Sequence, residues 1–149
     1  MMWKNSLRVI GAVAALIAGG VHLKLYFDGY RDGAGNIGLQ FVFNAVGAFA
    51  IALGLLAPLV SSRLPRWIPN WAASGGIAWA VISLIAFVIA RTDIGWFGFT
   101  DETALADTTE AKLTVFPEIL VLVAATMLRA VPLFGNGDGN GDPEPAESA

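Results

Sequence analysis

Residues 37–60 read IGLQFVFNAVGAFAIALGLLAPLV and contain no charged side chain. A helix rises about 1.5 Å per residue, so this stretch is long enough to cross the hydrocarbon core of a bilayer, which is about 30 Å thick. Three further apolar stretches of similar length occupy residues 7–27, 71–90 and 113–131. The sequence therefore predicts an all-α fold, in which residues 1–134 form a single bundle of four transmembrane helices.

The composition supports this class and excludes several others. Of the 149 residues, 56% are hydrophobic and only 14% are charged, which is unusual for a soluble domain of this size. A net charge of −3 argues against a nucleic-acid partner, because the required basic surface is missing. The absence of cysteine excludes disulfides and thiolate chemistry. No complete catalytic or cofactor motif is present, so we predict no catalytic residue, metal or cofactor, and a non-enzymatic role is favoured over an enzymatic one.

The segments between and after the spans have the composition of surface structure. Residues 28–38 and 61–70 are rich in glycine and proline respectively, and residues 93–110 are acidic. Residues 135–149 form an acidic tail rich in glycine and proline that we expect to be disordered. The first span could also be a secretory signal, but its apolar character continues to Phe27, so a retained helix is the simpler interpretation.

Orientation in the membrane rests on the distribution of lysine and arginine near the span ends. One side has five such residues and the other has four. The rule therefore narrowly favours a protein of the cell (inner) membrane with both termini in the cytoplasm. The first side contains Lys4, Arg8, Arg63, Arg66 and Arg129, and the other contains Lys24, Arg31, Arg91 and Lys112.

Small residues recur at four-residue spacing within the spans, which allows helix backbones to approach closely in lipid. The pairs are Ala14 with Ala18, Ala15 with Gly19, Ala50 with Gly54, Ala72 with Gly76, and Gly76 with Ala80. The spacing fits a compact bundle and equally fits a composition rich in alanine and glycine. It does not distinguish packing within one chain from self-association.

The few polar side chains inside the spans fall at one depth. In an up-down-up-down topology, His22, Asn44, Ser83 and Glu118 lie about 7–10 Å below the same boundary of the membrane. Ionisable groups in hydrocarbon are costly and tend to face the bundle interior in pairs. We therefore expect one polar layer with contributions from all four helices, in which His22 pairs with Glu118.

Three interpretations of this layer stay open. The pair can be a structural clasp between the first and fourth helices, it can bind a small ligand or relay protons, or it can contribute to a metal or haem site. The metal interpretation is the weakest, because a single histidine is few for a zinc site.

The start of the fourth helix affects these interpretations. Pro117 is well tolerated in a first helical turn, so the helix can begin as late as Phe116, with Glu118 close to water. Alternatively, residues 109–115 form an interfacial turn that precedes the span.

Two loops at the same end of the bundle combine aromatic and charged residues. They contribute five further candidate site residues, which are Tyr26, Tyr30, Arg31, Arg91 and Glu102. Aromatic residues at this depth usually anchor a protein at the membrane interface. The functional alternative is a shared outer lid over the polar layer, in which the two arginines pair with acidic loop residues or hold an anionic group.

Several of these residues together resemble a known pattern. HLKLY at residues 22–26, GYRD at 29–32, GLQFVFNA at 38–45 and GWFGF at 95–99, with Glu102 and Glu118, are similar to small four-span bacterial integral membrane proteins of unassigned function. The likeness to DoxX-like membrane proteins is looser. The resemblance covers the four spans and implies the fold, but no activity. Ile37 and Thr100 depart from the pattern, which has a proline-containing turn and a histidine there.

Three functions of different classes fit the sequence, and we rank them as follows. First is a non-enzymatic accessory or assembly component that packs against a larger membrane protein or associates with itself. Second is a protein that handles a small ligand or protons, such as a minor transporter. Third is a membrane oxidoreductase or quinone-binding protein. The lipid bilayer is the partner common to all three.

Overall fold

The computed structural model describes residues 2–61, 63–65, 67–101 and 108–134. These residues form four long helices and no β-strand. They are α1 at Met2–Leu25, α2 at Ile37–Val60, α3 at Trp67–Ile89 and α4 at Thr109–Phe134. Each is long and apolar enough to cross a membrane, so the prediction of an all-α, membrane-spanning architecture is confirmed at that level. The tail at residues 135–149 lies outside the described residues.

The helices form a square in which consecutive helices are neighbours. α1 packs against α2 and α4, α3 packs against the same two helices, and neither diagonal pair brings Cα atoms within 8 Å of each other in the described ranges. Consecutive helices run in opposite directions, as in an up-down-up-down bundle. As a consequence, the end of α1, the start of α2, the end of α3 and the start of α4 all lie at one end of the bundle.

Small side chains fill the centre of this square. The core contains eight alanines together with Ile51, Leu55 and Val121, and large apolar side chains such as Phe43, Leu53 and Ile82 are more than half exposed on the outside. A Cβ atom at Gly54 would lie 2.5 Å from the Cβ of Ala72, so α2 and α3 approach each other closely there. Small residues allow this packing in lipid, where outward-facing apolar side chains are well solvated.

The small-residue prediction therefore has a mixed outcome. Of the residues in the predicted pairs, Ala14, Ala15, Ala18, Gly19, Gly76 and Ala80 are buried within the chain, Gly54 and Ala72 are half-buried, and Ala50 is exposed. Their spacing thus reflects packing within one chain, with the exception of Ala50, which faces outward.

The fourth helix begins at the earlier of the two positions that the sequence interpretation left open. α4 starts at Thr109, so Pro117 lies within it and Glu118 is more than two turns from its first residue. The expectation of a start as late as Phe116, with Glu118 close to water, is wrong because Glu118 is completely buried. The alternative, in which residues 109–115 are already helical, agrees with the structure.

Candidate functional site

The polar layer forms one connected network across four helices. Nε2 of His22 on α1 lies 3.1 Å from Oε1 of Glu118 on α4. The hydroxyl of Ser83 on α3 donates a hydrogen bond of 2.5 Å to the same carboxylate oxygen. The amide nitrogen of Asn44 on α2 lies 3.4 Å from the Ser83 hydroxyl, and Trp79 donates to the Asn44 carbonyl. The four residues that the sequence placed at one depth are therefore in contact.

Burial makes the pair of ionisable groups unusual. His22 is 4% exposed and Glu118 is 0% exposed. Removing a carboxylate from water is costly unless charge and hydrogen bonds compensate it, and His22 is the one basic group in contact with it in the described structure. The compensation is incomplete, because Nδ1 of His22 and Oε2 of Glu118 have no hydrogen-bond partner among the described residues.

A cavity of about 290 Å³ lies directly beside this network. His22, Asn44 and Ser83 contribute its polar floor. Five aromatic side chains form part of its walls, beside aliphatic and charged residues; they are Tyr30, Phe41, Phe87, Trp96 and Phe99. Apolar walls with a few convergent polar groups are typical of sites for small molecules.

Charged side chains surround the outer end of the cavity in two groups. Lys24 of α1 pairs with Asp28 in the turn that follows it and lies 3.3 Å from Glu110 of α4. These groups are about half exposed, so we assign this end as the mouth. On the other side, Arg91 lies 2.9 Å from Asp101.

The two outer loops contact each other above the cavity. The Gln40 side chain joins them, because its oxygen accepts a hydrogen bond from the Trp96 indole and its nitrogen donates 2.9 Å to the carbonyl of Gly35. A Cβ atom at Gly35 would lie only 2.1 Å from the carbonyl oxygen of Phe97, so this close approach requires glycine.

The second loop is held in shape by a tight turn. Trp96 and Phe99 exchange two backbone hydrogen bonds of 2.8 and 3.0 Å. Phe97 and Gly98 lie between them with φ angles of 51° and 81°. Positive φ at both central residues is the geometry of a two-residue hairpin turn. This turn positions Trp96 and Phe99 in the cavity wall, where the Phe99 ring lies 5.8 Å from that of Tyr30.

The outer-loop candidates have different positions. Tyr30 and Arg91 line the cavity, whereas Tyr26 and Arg31 do not. Arg31 is exposed and lies 5.9 Å from the ring centre of Tyr26. Glu102 lies outside the described residues. Of the two arginines, Arg91 thus makes the pairing with an acidic loop residue that the lid interpretation required.

The sequence interpretation missed several residues of the site. Gln40 is the clearest, since it lies one helical turn before Asn44 and this spacing places both on one face of α2. Lys24 and Asp28 were also missed, although they are four residues apart and can therefore pair on one face of a helix. Phe41, Phe87 and Glu110 also lie at helical spacings from predicted site residues, three before Asn44, four after Ser83 and eight before Glu118. Their place in a cavity nevertheless depends on how the helices pack.

No protein-family model, curated protein or solved structure matches this chain.

Proposed function

We propose that this chain is a multi-pass protein of the cell (inner) membrane, with both termini in the cytoplasm, that binds a small ligand in the cavity beside His22. One observation carries the proposal: the cavity is lined by three polar side chains of the buried network, His22, Asn44 and Ser83, together with five aromatic side chains. Apolar and aromatic walls with a few convergent polar groups are typical of a small-molecule site. We also propose that the chain is related to the small four-span bacterial membrane proteins, and more loosely to the DoxX-like proteins, that its sequence resembles.

A purely structural contact between α1 and α4 would not require all the features of this site. It explains the contact between His22 and Glu118, but it requires neither an adjoining cavity nor aromatic walls. Well-packed apolar residues of similar volume would hold α1 against α4 at least as well as a buried ion pair does. Ligand binding accounts for the cavity and its lining together, and reversible binding at this site fits a transporter or a sensor.

The test is to fill the cavity without altering its polar groups. Ala86 lines the cavity, and Ala78 on the same helix is exposed on the outer surface. We expect a small molecule to co-purify with the wild type and with Ala78→Trp in mild detergent, and to be absent from Ala86→Trp, as measured by mass spectrometry of extracts from equal amounts of protein.

Other outcomes of that purification would favour the lower-ranked functions. The same extract from all three proteins would contradict the cavity as a binding site. A stoichiometric protein partner that is retained by all three variants would instead support an accessory or assembly component. A bound quinone or a visible absorption band would support an oxidoreductase or quinone-binding protein.

A further inference from the structure

We propose, on the basis of the ligand-binding function above, that the ligand of the cavity is a compact organic cation without N–H groups, such as a quaternary ammonium compound. Three properties of the lining point to this class. They are its charge, the arrangement of its aromatic rings, and the hydrogen bonds that its donors already make within the protein.

The charged side chains of the lining leave an excess of one negative charge. Asp28, Asp101 and Glu110 contribute three carboxylates, whereas Lys24 and Arg91 contribute two basic groups. Lys24 pairs with both Asp28 and Glu110, so two carboxylates share one ammonium group. A cation in the cavity would balance this excess, and an anion would be repelled by it.

The surroundings of the lining do not reverse this sign. The buried pair of His22 and Glu118 is positive only if the imidazole is charged while the carboxyl is neutral, and burial disfavours such an isolated charge. Residues 102–107, which lie outside the described structure, contain two acidic residues and no basic one. The negative charge of the lining therefore does not depend on which member of the buried pair carries a proton.

The aromatic rings of the lining meet at steep angles. The ring of Tyr30 lies 5.4 Å from that of Phe41 at 78°, and 5.8 Å from that of Phe99 at 71°. Rings in this arrangement present their faces in different directions, as in the aromatic cages that surround quaternary ammonium groups. A cation of the chain already uses a fourth lining ring, because Cζ of Arg91 lies 3.5 Å from the ring centre of Phe87. The wall thus offers contacts that replace part of the hydration of a cation.

Several hydrogen-bond donors of the lining already have acceptors in the protein. The Trp96 indole donates to Gln40, whose own amide donates to the carbonyl of Gly35, and the Asn44 amide donates to Ser83. An anion or a strong acceptor would have to displace such bonds. A quaternary ammonium group needs no donor and has no N–H of its own, so charge and ring contacts are sufficient to bind it.

The experiment compares choline with 3,3-dimethylbutan-1-ol, a neutral molecule of the same shape in which a carbon atom replaces the nitrogen. Binding of isotope-labelled probes to the wild type is measured by equilibrium dialysis in a non-ionic detergent. Uptake by Ala86→Trp, which fills the cavity, is subtracted as the background. We expect choline to bind at least about tenfold more tightly, because desolvated cation–π contacts and the negative lining act on the cation alone. Equal binding, or tighter binding of the alcohol, would overturn the inference.

Glu110→Gln gives a second test, because it removes one negative charge of the lining and keeps the shape of a half-exposed side chain. Asp32→Asn is a matched control, since Asp32 is exposed at the same end of the bundle but does not line the cavity. We expect Glu110→Gln to weaken choline binding at least about threefold, as one partly exposed charge can do, and to leave the alcohol unaffected. Asp32→Asn should bind both probes as the wild type does. Equal effects of the two variants on choline would contradict binding in the cavity.

These outcomes separate the ligand class from the ligand-binding function. Binding of the alcohol above background without a preference for choline leaves that function intact and removes only the cationic class. The class is also wrong if neither probe binds while the wild type still yields a molecule on purification that Ala86→Trp lacks. If that molecule is absent as well, the ligand-binding function fails together with the class.

Discussion

Oε1 of Glu118 lies 3.1 Å from Nε2 of His22 within the bundle, and both residues are buried. The pair joins α1 to α4, and Ser83 extends it to α3. Because a buried charge is costly when its partner is removed, this contact makes the polar layer important for folding as well as for binding.

Removal of either partner should destabilise the bundle. We expect His22→Ala or Glu118→Ala to lower the free energy of unfolding by about 3–5 kcal/mol, because each leaves an uncompensated buried group. The double variant should lose clearly less than the sum of the two, as measured by denaturant titration in detergent micelles. Strict additivity of the two single effects would show that the pair is not coupled.

The contact between the outer loops should depend on Gly35. An alanine there must adopt a φ near 65° and would also place its Cβ against the Phe97 carbonyl. Gly98 is a matched control, because its φ is 81° but its Cβ position is open. We expect Gly98→Ala to cost about 1–2 kcal/mol from the left-handed backbone alone, and Gly35→Ala to cost more. The measurement is thermal unfolding, and equal losses would argue against a tight contact between the loops.

The close approach of α2 and α3 should be sensitive to a single methyl group. Gly54→Ala would overpack against Ala72 and should cost about 1–3 kcal/mol. Adding Ala72→Gly should restore part of that loss, since it removes the opposing methyl group. Gly75→Ala, at an open helical position, should be harmless. If Gly54→Ala behaves like Gly75→Ala in thermal unfolding, the helices are further apart than described.

The proposed orientation has a direct test, because the chain has no cysteine of its own. Asp32 and Leu64 are exposed in the loops at opposite ends of the bundle. Replacing either by cysteine leaves the narrow balance of lysine and arginine unchanged. We expect a membrane-impermeant maleimide to label Asp32→Cys in intact cells and to label Leu64→Cys only after permeabilisation. The reverse pattern would invert the topology without affecting the fold.

Much of the architecture follows from the sequence alone because it depends on one-dimensional properties. The length and apolar character of residues 37–60 are sufficient to predict α2, and the helix has those same bounds. Consecutive spans that each cross the bilayer alternate in direction, so the depth of a residue in one span can be compared with that of a residue in another. This comparison of depths predicted one polar layer that contains His22, Asn44, Ser83 and Glu118.

The tertiary structure decided which groups meet at that level and what surrounds them. The rotation of each helix about its axis determines that Ser83 and His22 share one oxygen of Glu118, that Ala50 faces outward, and that Phe41 and Phe87 line a cavity. The weak amphipathicity of apolar spans carries little information about this rotation, because lipid and core are both apolar. The link from Gln40 to Trp96 and the contact of Gly35 with Phe97 depend on two loops that are far apart in the chain. Such contacts form only when the bundle is assembled, so a linear pattern does not reveal them.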